Sequence, residues 1–138
     1  MSRSGYGDGD GTDSWYQICW RGAVNSAIRG KRGQNFLNEL LQALDDMPNK
    51  ELITDELVRN GSYCTLGVIG AKRGLDLEAI DYEDSEKVAE AFNIANALVC
   101  EIEYMNDEGV WYDETPAERW IRMRNWIENK IKTTKGNE

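Results

Sequence analysis

The sequence predicts a mainly α-helical fold, a compact bundle of about five helices with one small β-hairpin within residues 51–70. Three observations carry that expectation. Apolar residues recur at three- and four-residue intervals through most of the chain, the period of a helix with one buried face. Only 2 prolines interrupt the 138 residues. One stretch alone, 51–70, combines β-branched and aromatic residues with an Asn-Gly turn dipeptide. A chain of 138 residues can build a single core and not two. The expected organisation is an arm over 1–12, one helical domain over 13–132 and a frayed tail over 133–138.

The arm contains Gly5-Tyr6-Gly7-Asp8-Gly9-Asp10-Gly11, which offers Tyr6 as its apolar anchor and has high backbone entropy, so disorder is expected. Asp8 and Asp10 begin like a calcium loop, but its twelfth position falls on Cys19 where a glutamate is needed. From Asp13 or Ser14, Trp15, Ile18, Cys19, Ala23, Ala27 and Ile28 define the buried side of a helix ending at Gly30. Arg29-Gly30-Lys31-Arg32-Gly33 then reads as a basic turn. The clearest helix follows over about 34–47, with Phe36, Leu37, Leu40, Leu41, Leu44 and Met47 on one stripe and Pro48 as terminator.

Within 51–70, Arg59-Asn60-Gly61-Ser62 marks a turn, and Tyr63 to Gly70 is β-rich but carries Gly67 and Gly70 three apart, a spacing that also suits close helix contact. A hairpin is expected, with a helix over 66–73 as its rival. Val88 to Met105 describes two short helices broken at Asn93. Thr115-Pro116-Ala117-Glu118 is a capping box with proline at the first helical position, opening a helix to about 132 through Trp120, Ile121, Met123, Ile127 and Ile131.

The chain has 16 basic and 25 acidic side chains, net charge -9, and the charges are segregated. Residues 15–35 sum to +4, 76–118 to -13 and 119–138 to +4. Such a balance disfavours wholesale binding to nucleic acid or anionic lipid and favours basic partners. No apolar run approaches the roughly 18 residues of a membrane span, so no membrane association and a cytoplasmic location are expected. Cys19, Cys64 and Cys100 are odd in number with apolar neighbours, which predicts three buried, reduced thiols. With no histidine, a zinc site cannot be completed in the usual way and an imidazole base is missing. No catalytic residue, metal or cofactor is therefore assigned.

Residues 88–102 fit the apolar skeleton of a helix-turn-helix, with Ala89 at the small contact position and Asn93 suited to a left-handed turn. The chemistry opposes DNA reading. The second helix would present Glu101 and Glu103 to phosphates, and no Lys or Arg occurs between Lys87 and Arg119. A packed helix corner is expected.

The basic box Arg29-Gly30-Lys31-Arg32-Gly33-Gln34, with Leu40-Leu41-x-Ala43-Leu44-Asp45, Cys64-x-Leu66-Gly67 and Ala91-Phe92-x-Ile94-Ala95, resembles a group of small uncharacterised phage and prophage proteins over about residues 20–127. The resemblance implies an accessory role touching host or phage machinery and transfers no activity. The expected function is a non-catalytic interaction protein, an acidic inhibitor or decoy of a host nucleic-acid-handling protein. Its carboxylates Asp81, Glu83, Asp84, Glu101, Glu103, Asp107 and Glu108 would meet a protein partner with a basic surface. Arg29, Lys31, Arg32, Lys72, Arg73, Arg119, Arg122 and Arg124 are the candidate basic contacts to an anion or partner, and Trp126, off its helix's main stripe, is the candidate aromatic anchor. Two alternatives stand beside this: a nucleic-acid-binding accessory protein using the basic patches, and a carboxylate-based metal-dependent hydrolase.

Overall fold

A computed structural model describes residues 3–4 and 14–135, the side chains of 14–16 and 132–135 excepted. Among these residues the order is α1 (Ser14–Arg29), α2 (Lys31–Asp45), β1 (Val58–Arg59), β2 (Ser62–Tyr63), α3 (Thr65–Lys72), a 3-10 turn (Leu77–Ala79), α4 (Ser85–Phe92), α5 (Asn96–Glu108) and α6 (Pro116–Lys135). The protein is mainly helical, with a small antiparallel hairpin, as the sequence predicts; the described helices number six. None of them is long and apolar enough to cross a membrane.

Two helices organise the core. Helix α2 buries Phe36, Leu37, Leu40, Ala43 and Leu44 against α1, α3 and α6. Helix α5 runs through the other side, packed on α1, α3, α4 and α6, and every residue from Ala97 to Glu103 on it is buried. Trp120 ties α6 to α2 by donating its indole N–H to the Leu44 carbonyl at 3.2 Å.

The α1–α2 junction is tighter than the sequence suggests. The basic turn is a corner at Gly30 alone, and Lys31, Arg32 and Gly33 belong to the first turn of α2. The helices can meet there because position 33 lacks a side chain: a Cβ would collide with the Ala27 carbonyl oxygen. The inward face of α1 also differs from expectation. Trp20, Val24, Ala27 and Ile28 pack on the core, while Ile18 is 63% exposed and Cys19 and Ala23 are exposed. Trp20 and Val24 therefore take the inward places expected of Cys19 and Ala23, and the side chain of Trp15 lies outside the described residues. Cys19 corrects the expectation of three buried thiols; Cys64 and Cys100 are buried, and all three are free.

The hairpin and its rival helix both form, each on half of the contested stretch. Asn60 and Gly61 take positive φ, 52° and 79°, the combination a two-residue hairpin turn demands, and pair Val58 with Tyr63. Residues 65–72 are helical, so the hairpin does not extend to 70. Gly67 sets how closely that helix packs. It lies against the Leu57 carbonyl, where any Cβ would clash, so α3 docks directly on the strand that precedes the turn.

Asn93 takes the left-handed conformation (φ 57°, ψ 48°) and ends α4, as predicted. The capping box is also present: Glu118 N–H donates to Thr115 Oγ1 at 3.1 Å, and Thr115 N–H donates to Glu118 Oε1 at 2.9 Å. The expected arm lies outside the described residues except at Arg3 and Ser4. These two depart from an undocked arm: both are buried against the C-terminal half of α5. The tail residues 136–138 also lie outside the description.

Candidate functional site

The sequence leaves open whether its segregated charges meet each other or face outward, and folding divides them. Arg73 forms a two-pronged pair with Glu39 (2.8 and 2.7 Å), donates to the Phe92 carbonyl and lies over the Phe36 ring. Lys72 reaches Asp46 at 2.6 Å, and Arg124 clamps Asp45 at 2.8 and 3.2 Å. Arg122 holds Glu114 at 2.6 and 2.9 Å and donates to the Met105 carbonyl; Arg119 donates to the Leu52 and Glu114 carbonyls. Hydrogen bonds from Arg73 and Arg122 hold Glu39 and Glu114 below the ordinary carboxylate range. Five of the candidate basic contacts therefore tie α3 and α6 to the rest of the fold.

Arg29, Lys31 and Arg32 remain exposed at the α1–α2 corner, with no ion pair among the described residues. Lys72 lies near the other end of α2, beside Asp46, about 20 Å along the helix axis from Lys31. The first two basic clusters thus do not converge on one surface.

The acidic candidates divide as sharply. Glu101 is buried and paired with Arg21, and Glu103 and Asp107 are enclosed around Arg3. Of the 101–108 group, Glu108 alone is exposed, accepting from Ser4 Oγ at 3.3 Å. A helix enclosed over its first two turns cannot enter a DNA groove, which removes the recognition-helix reading of α5.

The segment 76–90 is different. It carries seven carboxylates against Lys87, net -6, and none of them forms an ion pair among the described residues. Asp76, Glu78, Asp81, Glu83, Glu86 and Glu90 are exposed; Asp84 is half-buried because it caps α4, accepting from the Glu86 and Lys87 amides. Beside this ridge runs a surface groove of about 160 Å³, floored by Leu57, Val58, Leu77, Ile80 and Tyr82 and edged by Glu56 and Glu78.

Trp126 is half-buried beneath Lys130, 5.8 Å from the ring centroid, and is not the free aromatic. Among the described residues that is Trp111, which is 95% exposed in the α5–α6 connection, edge-on to Tyr112 at 5.8 Å. Its position between Gly109 and Asp113, off any helical stripe, was the available signal.

The polar cluster at the end of α5 was not anticipated. Asn106 is buried and satisfied on both sides: Oδ1 accepts from the Thr65 amide (3.1 Å) and hydroxyl (2.7 Å), and Nδ2 donates to the Ile53 carbonyl (2.9 Å) and to Asp107 Oδ1 (2.8 Å). Glu103, one turn earlier, is wholly buried, and neither of its oxygens accepts a hydrogen bond. Burial pushes its carboxyl up to about 8, opposed by the charge of Arg3 and reinforced by Asp107. Burial likewise raises the Cys64 and Cys100 thiols, an environment opposite to that of a reactive thiolate.

A pH signature follows for Glu103. The folded protein holds this proton more tightly than the unfolded chain, where glutamate titrates near 4.3. Its contribution to stability is complete below that value and is lost as pH rises through about 8. The slope due to this one group has a ceiling of about 1.4 kcal/mol per pH unit. Glu103→Gln is expected to flatten the stability profile between pH 5 and 8 and to exceed the parent above pH 8. Parallel urea-midpoint profiles for the two proteins would refute this placement.

No protein-family model matches the chain, and no significant match is found among curated proteins or solved structures. Among the described residues no group of three or more cysteine or carboxylate side chains is placed to hold a metal ion.

Proposed function

We propose that this chain is a non-catalytic interaction protein whose acidic ridge, residues 76–90, engages a basic protein surface. One observation carries the reading: folding pairs most of the basic candidates internally yet leaves the seven carboxylates of one segment without an ionic partner among the described residues. Unpaired charge of one sign focuses potential outward, which accelerates encounter with Lys- and Arg-rich surfaces. The adjoining groove supports the same class of partner. An apolar floor with carboxylates at its edge suits a side chain with an aliphatic stem and a cationic head. The working candidates are Asp81 and Glu83 with Asp76, Glu78, Glu86 and Glu90; Glu101, Glu103 and Asp107 serve the fold. An inhibitor or decoy of a nucleic-acid-handling protein, in a phage or prophage accessory setting, is the specific form we propose for this activity.

The test neutralises Asp81, Glu83, Glu86 and Glu90 to their amides while keeping Asp84, which caps α4. Capture of a defined basic protein from host lysate at low salt should weaken by about tenfold or more in the variant and fall as salt rises. Capture that is indifferent to both changes defeats the proposal. A second reading rests on Arg29, Lys31 and Arg32, three neighbouring exposed cations that no described carboxylate neutralises. A salt-sensitive duplex mobility shift, abolished by replacing those three residues, would establish nucleic-acid binding in its place.

A further inference from the structure

The end of α5 holds a guanidinium in a socket. Arg3 lies almost wholly inside it, its Nε and Nη2 donating to the two oxygens of Asp107 at 2.6 and 3.0 Å and its Nη1 reaching Cys64 Sγ at 3.7 Å. This is the planar, two-pronged match that arginine makes with a carboxylate and lysine cannot.

The socket owes its shape to the fold and not to Arg3. Asp107 Oδ1 is held from behind by the Asp55 amide at 3.1 Å and by Asn106 Nδ2 at 2.8 Å, and Asn106 is itself locked to Thr65 and Ile53. The site also has acceptor capacity that Arg3 does not use. Glu103, fully buried, turns its carboxyl toward the guanidinium, yet the nearest nitrogen is 3.8 Å away and neither oxygen accepts a hydrogen bond. Arg3 is joined to α1 through a sequence in which Gly5, Gly7, Gly9 and Gly11 alternate with other residues.

We infer that this socket is a binding site for an arginine side chain, closed in cis by Arg3 and available to an arginine of a partner polypeptide when Arg3 withdraws. An occupant in the same chain competes with any free ligand, so it masks the site from weak ligands and yields to a well-presented one. The socket shares no residue with the acidic ridge, and the two readings stand or fall separately.

The experiment uses the full chain with Arg3→Ala and the probe Nα-acetyl-arginine amide, followed by calorimetric titration and thermal melts. The probe should bind the variant saturably and at least about tenfold more tightly than the parent, raising the variant's melting temperature alone. Nα-acetyl-lysine amide should not substitute, and adding Asp107→Asn to the variant should abolish binding. If Arg3→Ala does not fold unaided, the probe should restore a cooperative melt. Absence of saturable binding or of that rescue, equal binding of the lysine probe, or binding that survives Asp107→Asn overturns the inference.

Discussion

Replacing Asn106 with alanine is expected to cost about 3–5 kcal/mol, because the substitution strands several buried polar groups at once. The Thr65 amide belongs to the first turn of α3, where no intrahelical acceptor exists, and Asn106 Oδ1 accepts its hydrogen bond at 3.1 Å. The Thr65 hydroxyl and the Ile53 carbonyl lose partners in the same step, and Asp107 loses a donor. Each buried group left unpaired costs roughly 1–3 kcal/mol, more than the net value of the bond that satisfied it. Asn106→Asp sharpens the test. It keeps the acceptor for Thr65 but removes the donor to Ile53 and adds a carboxylate beside Asp107, so its penalty should grow with pH while that of the alanine variant should not. A urea midpoint for Asn106→Ala within about 1 kcal/mol of the parent would show that the cluster does not tie α3 to α5.

Leu40→Ala and Leu44→Ala should each cost roughly 2–5 kcal/mol. Both side chains are fully buried on α2, which α1, α3 and α6 all contact, so no neighbour can move into the vacated space without leaving another contact. Leu41, one position along, is half-buried and should cost less than either. Equal penalties at 40, 41 and 44, or midpoints near the parent for all three, would remove α2 from the centre of the core.

The acidic ridge and the arginine socket arise from one physical division. Carboxylates that fold next to a fixed guanidinium are held in ion pairs and become part of the scaffold, whereas those on a turn-rich connection stay unpaired and available. Arg122, Arg124 and Arg73 anchor the first kind through two-pronged contacts. The segment from Asp76 to Asp84 leads along the outside of the bundle into α4, and no basic side chain among the described residues reaches its carboxylates.

What the sequence by itself determined is local. The capping box at Thr115, the turn at Asn60-Gly61, the left-handed Asn93 and the buried stripe of α2 are each set by residues within a few positions of one another, where backbone sterics and helical periodicity act directly. What only the tertiary structure decided is the fate of groups whose partners lie far along the chain. Gly67 lets its helix seat against the Leu57 carbonyl, which folding brings to it. Ile18 and Cys19 face outward because α1 turns Trp20, Val24 and Ile28 to the core. Glu101, which local charge density places on an acidic surface, goes inside paired with Arg21 from 80 residues away, and Glu103 goes inside as a carboxyl whose proton burial holds more tightly, with Arg3 3.8 Å from it. Periodicity identifies a helix and its apolar stripe, but the energy of a buried charge depends on a counter-charge delivered by folding, and composition carries no record of that distance.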